Sequence, residues 1–226
     1  MQPGNGSTAI RRGWASALIA LVAAFAFIDV HAQATGRVCA DGIDETPGPA
    51  CLVAHEDVGE LPYGPVYWNI YTFTDMAAAQ RGRAPHASVV SAFGQIWLFA
   101  IGGKGRDIAG GVHRADVGPI PIDSADRHSA EYLKSTFPPG MTAPVHVHSG
   151  PEAFYVIRGD TCLETPDGVQ VARGPGSSLT VRRGPPMLLK AIGSEMRQGF
   201  ALILHSADSP PTTLTSNWAP RGLCPD

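Results

Sequence analysis

The sequence predicts an all-β protein built as an antiparallel barrel or jelly roll. Two observations carry this reading. Between residues 161 and 205, short apolar segments (161–164, 169–172, 178–181, 187–191 and 200–205) alternate with Gly/Pro-rich turns, among them Thr165-Pro166-Asp167-Gly168 and Gly184-Pro185-Pro186. That rhythm belongs to small antiparallel folds, and the Asp-Gly pair is a hairpin signal. Just before it, residues 140–159 read GMTAPVHVHSGPEAFYVIRG, two strand-like runs folded about Ser149-Gly150-Pro151. Ser, Gly and Pro in that order are turn chemistry.

Taken in order, residues 33–65 are rich in Gly, Pro and acidic side chains and read as an arm with little regular structure. Residues 66–73 (VYWNIYTF) form a strand dense in aromatic and branched side chains. Thr74 or Asp75 caps a short helix over 76–81, which Gly82 stops. Residues 88–93 and 95–101 are strands meeting at Gly94, and another strand lies around 112–117. The Gly102-Gly103-Lys104-Gly105 stretch lacks the Lys-Ser/Thr pair of a phosphate-binding loop. Residues 130–137 alternate as a strand; a helix over 124–135 would pair Glu131 with Lys134, but the following Pro138-Pro139-Gly140 favours the strand. His128, at the start of that segment, is placed at the surface. The tail, 207–226, is rich in Pro, Ser and Thr, with Trp218 and Cys224 as its anchors.

The first 32 residues read as a secretory signal peptide. Arg11-Arg12 precede an apolar run over 15–28, and Val30-His31-Ala32 offers a small-residue cleavage site. The run is short for a membrane span of about 20 residues, so cleavage is favoured over an uncleaved anchor. The twin arginines only loosely echo a twin-arginine signal. All four cysteines lie after the cleavage site, and an even count in an exported chain suggests disulfides. Three pairings exist. Cys39–Cys51, closing a Gly/Pro-bearing loop, and Cys162–Cys224, tying down the tail, are preferred. No Cys-x-x-Cys occurs, and a net charge of −3 argues against nucleic acid or an anionic membrane as partner. The chain is expected in the periplasm or outside the cell, without stable membrane insertion once the signal is cleaved.

The chemistry centres on His146, His148 and Glu152. In a strand, residues two apart face the same way, so both imidazoles share a face. A tight hairpin returns the Glu152 carboxylate beside them. Two imidazoles and one carboxylate leave coordination positions open on a metal. The spacing Gly140, five residues, His146-Val147-His148, three residues, Glu152, six residues, Gly159 resembles the first motif of the cupin superfamily. A second motif is degenerate: Gly176 and Gly184 are in place, but Arg182 holds its proline position, Met187 its histidine position and Ala191 its asparagine position. The resemblance covers about residues 130–205.

It implies a cupin jelly-roll β-barrel over 123–208, with 33–122 as an N-terminal extension of strands and one short helix, and 209–226 as a tail. Residues 33–122 could instead be a degenerate cupin repeat. The resemblance also implies one divalent ion (Fe, Mn, Ni, Cu or Zn) on His146, His148 and Glu152. A small-molecule ligand would sit among Phe154, Val156 and Met187, and two chains would pair as a homodimer. His205, His86 or His113 could supply a third nitrogen. Arg182 could meet an anionic group, although a solvated charge at the rim is the simpler role. The function expected is a metal-dependent oxygenase, isomerase or lyase, or a periplasmic module that binds metal or a small molecule without turnover. No acid or base beside the metal is evident, since Tyr155 alternates away from Glu152.

Overall fold

The structure, a computed structural model, describes residues 1, 37–39, 47–61, 63–122 and 127–226. The chain divides into a unit of residues 1–31 and a unit of residues 32–226, and every described strand and helix belongs to the second. Beyond Met1, the segment read as an export signal lies outside the described residues.

The described elements are β1 (Gly48–Gly59), β2 (Val66–Phe73), α1 (Met76–Gly82), β3 (Ala87–Ala92), β4 (Gln95–Gly102), β5 (Gly111–Ile120), β6 (His128–Phe137), β7 (His146–His148), β8 (Glu152–Arg158), β9 (Asp160–Thr165), β10 (Gly168–Arg173), β11 (Ser178–Val181), β12 (Leu188–Ile192), β13 (Arg197–Ser206) and β14 (Thr212–Leu214). The protein is therefore all-β with one short helix. Asp75 is the helix cap, its carboxylate accepting the Ala78 N–H at 2.7 Å.

The strands pair as β1-β6-β13-β8-β11, β10-β9-β12, β14-β7 and β3-β4-β2-β5. They form facing sheets of a jelly roll rather than one closed hydrogen-bonded ring, which refines the barrel expected from the turn rhythm. The five-stranded sheet is buried on both faces. Ala130, Tyr132, Tyr155, Phe200, Leu202 and Leu204 pack against Trp68, Ile70, Trp97 and Phe99 of the four-stranded sheet. Phe137, Phe154 and Val156 face the other way, against Leu163, Leu189 and Ala191 of the three-stranded sheet. Alternation along β8 decides this: even residues line one core and odd residues the other. Burial of both faces also explains why 153–156 reads as an unbroken apolar run.

Two local expectations are corrected. Residues 48–59 are not an irregular arm but the edge strand β1, paired with β6 through three register shifts. Its bulges and its Glu56-Asp57 pair hide the strand from a local reading, because its partner lies some seventy residues on. His128 is buried rather than at the surface, because it opens β6 under the pairing of β13 Ser206.

Both preferred disulfides are present, Cys39–Cys51 and Cys162–Cys224. The second closes a 62-residue separation. Closing so long a loop restricts the unfolded chain, so replacing both Cys162 and Cys224 by serine should lower the unfolding free energy by about 2–4 kcal/mol in urea titrations. A change under about 0.5 kcal/mol would show that the tail is held without the bridge.

Candidate metal centre

Three residues of β7 carry His146 and His148 to one face, and the next three turn the chain. The turn lies flat on β13: a Cβ on Gly150 would come within 2.1 Å of the Leu204 carbonyl oxygen and 2.5 Å of the His205 Cα. Only glycine permits that approach. The Leu204 N–H donates to the Pro151 carbonyl at 3.0 Å, fixing the entry of β8. Glu152, its first residue, is thereby brought back beside the imidazoles. β7 and β8 do not pair as the expected hairpin: β7 pairs with β14 and β8 with β13 and β11, so the bend is a corner between two sheets. Gly159, after the last residue of β8, has φ +66° and abuts the Met196 carbonyl, again a position for glycine.

The three side chains converge. His146 Nε2 lies 3.0 Å from His148 Nε2, and His148 Nε2 lies 3.1 Å from Glu152 Oε2. One ligand atom from each residue falls within 4.8 Å of the others. Both rings are held from behind: His146 Nδ1–H donates to the Pro144 carbonyl at 2.6 Å, and His148 Nδ1–H to the Pro211 carbonyl at 2.9 Å. Carbonyls only accept, so both Nδ1 atoms carry protons, and each ring in its neutral form aims an Nε2 lone pair at the shared point. Glu152 is 4% exposed, and its Oε2 receives no hydrogen bond.

The tail builds the outer support. β14 pairs with β7, setting Thr212 opposite His148 and Leu214 opposite His146. Ser149 Oγ donates to the Pro210 carbonyl at 2.7 Å. The tail is pinned in turn by the Cys162–Cys224 bridge and by buried Glu164, which accepts the Arg221 and Leu223 N–H groups. Nothing in the Pro/Ser/Thr composition of the tail marks this role. On the other side of β7, Met187 forms an antiparallel bridge with His146 and is fully buried.

Electrostatics separate the two rings. Burial, with repulsion from His148, pushes His146 below the ordinary imidazole range. Burial also disfavours a charged His148, but the Glu152 carboxylate beside it and the Pro211 carbonyl outweigh that and raise it.

The trio opens into a cavity of about 530 Å³. Its walls are mostly apolar, with Leu133, Phe137, Phe154, Leu189 and Ala201 among them, and no described lysine or arginine lines it. Of the expected pocket residues, Phe154 lines the cavity, whereas Val156 and Met187 are packed in the adjoining core. Arg182 lies at the surface, paired with Asp167 at 3.1 Å, the solvated-charge role. His205 is turned to the Ser206 and Ser209 carbonyls, and His113 is paired with Asp116 in the four-stranded sheet. His86 sits in the turn before β3 with φ +60°. None of these three lines the cavity.

Glu131 does line it, although its sequence context suggests only a helix-pairing charge. The available signal is the alternation of β6, which puts 131, 133, 135 and 137 on one face. Arg197 is buried on that same face of β13. It donates to Thr161 Oγ1 at 2.8 Å and to Ser135 Oγ and stacks over Phe137, and burial lowers its pKa to about 10.

Residues 133–197 match the family described as Cupin domain. A comparison with curated proteins found no match. Among solved structures, the chain is similar to the DMSP lyase DddQ of Ruegeria pomeroyi, at 16% identity over 40% of this chain and 45% of that chain, with a TM-score of 0.34. It is similar to a cupin-like protein of Thermotoga maritima at 15% identity, over 38% and 64%, with a TM-score of 0.35. A cupin domain of Bordetella pertussis shares 21% identity over 38% and 90%, with a TM-score of 0.30. The chain thus spans under half the length of the first of these and under two thirds of the second.

Proposed function

Because the chain belongs to the cupin superfamily through residues 133–197, we propose that His146, His148 and Glu152 hold one divalent metal ion beside a cavity that binds a small organic molecule. One observation carries this: two Nε2 atoms and a carboxylate oxygen converge on a common site, and no other described residue donates to that oxygen. Buried acceptors that close repel one another unless a cation lies among them. Nitrogen and carboxylate ligands suit Fe, Mn, Ni, Cu or Zn. Such an ion, when bound, supplies Lewis acidity toward a carbonyl, an enolate or dioxygen.

The chain's own residues do the rest. Pro144 and Pro211 fix the tautomers through their carbonyls, a role outer partners of metal-bound histidines commonly fill. Leu133, Phe137 and Phe154 exclude water and give an apolar ligand its wall. Catalysis by an oxygenase, isomerase or lyase is the leading use of this site. Binding without turnover is the second reading, and Met187 favours it: a buried thioether stands where the family's second motif has an imidazole. The protein is further proposed to work in the periplasm or outside the cell, supported by its two disulfides.

Elemental analysis of the oxidised protein should find close to one metal ion per chain. Because an ion held only by the folded site stabilises it, chelation should lower the Tm. Less than about 0.1 ion per chain, even after reconstitution with Fe(II), Mn(II), Ni(II), Cu(II) and Zn(II), would rule out the metal.

A further inference from the structure

We infer that Glu131 is a second reading point of this cavity, and that the ligand there is a small, largely apolar molecule bearing a proton-donating hydroxyl or ammonium group rather than an anion. The inference rests on the reading of His146, His148 and Glu152 as the opposite, metal-holding end.

The placement follows from register. Ile203 of β13 is paired with Glu131 on β6 and with Glu152 on β8, so the two carboxylates flank it in one row on one face of the sheet. Two strand spacings separate their backbones, roughly 9–10 Å. Between and above them the face is apolar, formed by Leu133, Ala201 and Phe154. A rigid molecule of one ring fits that span.

The chemistry follows from what surrounds Glu131. Its side chain is half-buried and lines the cavity, and it has no hydrogen-bond or ion-pair partner among the described residues. A half-desolvated carboxylate accepts hydrogen bonds and has none to give, so a ligand that displaces its water must supply a donor. No described lysine or arginine lines the cavity to offset a second anion. Arg197, on the same face, donates through Nε and Nη1 to Thr161 and to Ser135, four residues along β6 from Glu131, and does not line the cavity. A ligand carboxylate set against Glu131, away from the metal end, would therefore face it uncompensated, whereas a hydroxyl or ammonium group completes it with a charge-assisted bond.

The test uses three probes of one shape, benzylamine, benzyl alcohol and benzoate, titrated calorimetrically into the full protein at neutral pH. Benzylammonium should bind at least about 10-fold more tightly than benzoate, with benzyl alcohol between them. Glu131→Gln should shrink the benzylammonium-to-benzoate ratio by about 10-fold while leaving bound metal unchanged. Benzoate binding as tightly as benzylammonium in the unmodified protein would overturn the inference, as would a ratio that Glu131→Gln does not move. Metal measured in the same samples keeps the two readings apart. Metal present with benzoate preferred sinks only the role of Glu131. Metal absent with benzylammonium preferred sinks only the metal and supports Glu131.

Discussion

His148→Ala is expected to lower metal affinity by more than about 100-fold, leaving the purified variant essentially metal-free. His148 is the middle member of the trio, 3.0 Å from His146 Nε2 and 3.1 Å from Glu152 Oε2. Its loss leaves one imidazole and one carboxylate, too few to hold a divalent ion against water. It also removes the ring that Pro211 orients, so the strap formed by β14 loses a side-chain contact but keeps its backbone ladder. The fold should survive, and in excess chelator the variant and the unmodified protein should unfold within about 1–2 kcal/mol of each other. A variant that retains metal would mean that the ion sits elsewhere.

Trp68→Ala should cost about 3 kcal/mol of unfolding free energy, at the lower end of the range for removing a buried aromatic. Trp68 is 0% exposed and packs edge-on against Phe99 at 5.3 Å and tilted against Tyr132 at 6.0 Å. Phe99 belongs to the four-stranded sheet and Tyr132 to the five-stranded one, so this indole joins the two layers. Its Nε1 is buried without a hydrogen-bond partner. Deleting that donor returns part of the packing loss, which sets the lower end. Tyr63, 97% exposed, is the control, and its replacement by alanine should change stability by less than about 0.5 kcal/mol. Urea titration measures both. A loss under about 1 kcal/mol for Trp68→Ala would mean that the four-stranded sheet rests loosely on the rest.

The legible parts of this chain are those written locally. The Asp75 cap, the turn at Gly94, the Asp167-Gly168 hairpin and the bend at Ser149-Gly150-Pro151 each depend on residues within a few positions of one another. The tight hairpin expected over His146–Glu152 is instead a corner between sheets, since β7 pairs with β14 and β8 with β13 and β11. What escapes a sequence reading depends on distant pairing. β1 is a strand only because β6 supplies its partner, and its bulges and charges mask the period of two. The tail's composition hides its support of the site, which runs through the Pro210 and Pro211 carbonyls, groups that any residue type provides. Glu131 is obscured for another reason: its charge resembles solvent-facing helix chemistry until the strand turns it into a cavity. Met187 stands out in the sequence as a substitution in the second motif, but only the bridge to His146 shows how near the first motif it lies.

The proposed site holds one metal ion among three named atoms. The most direct test is a crystal of the metal-loaded, oxidised protein measured at the absorption edge of the ion found by elemental analysis. A single anomalous peak is predicted, about 2.0–2.3 Å from His146 Nε2, His148 Nε2 and a Glu152 carboxylate oxygen. A peak elsewhere on the chain, or none at this site in crystals of protein carrying stoichiometric metal, would contradict it.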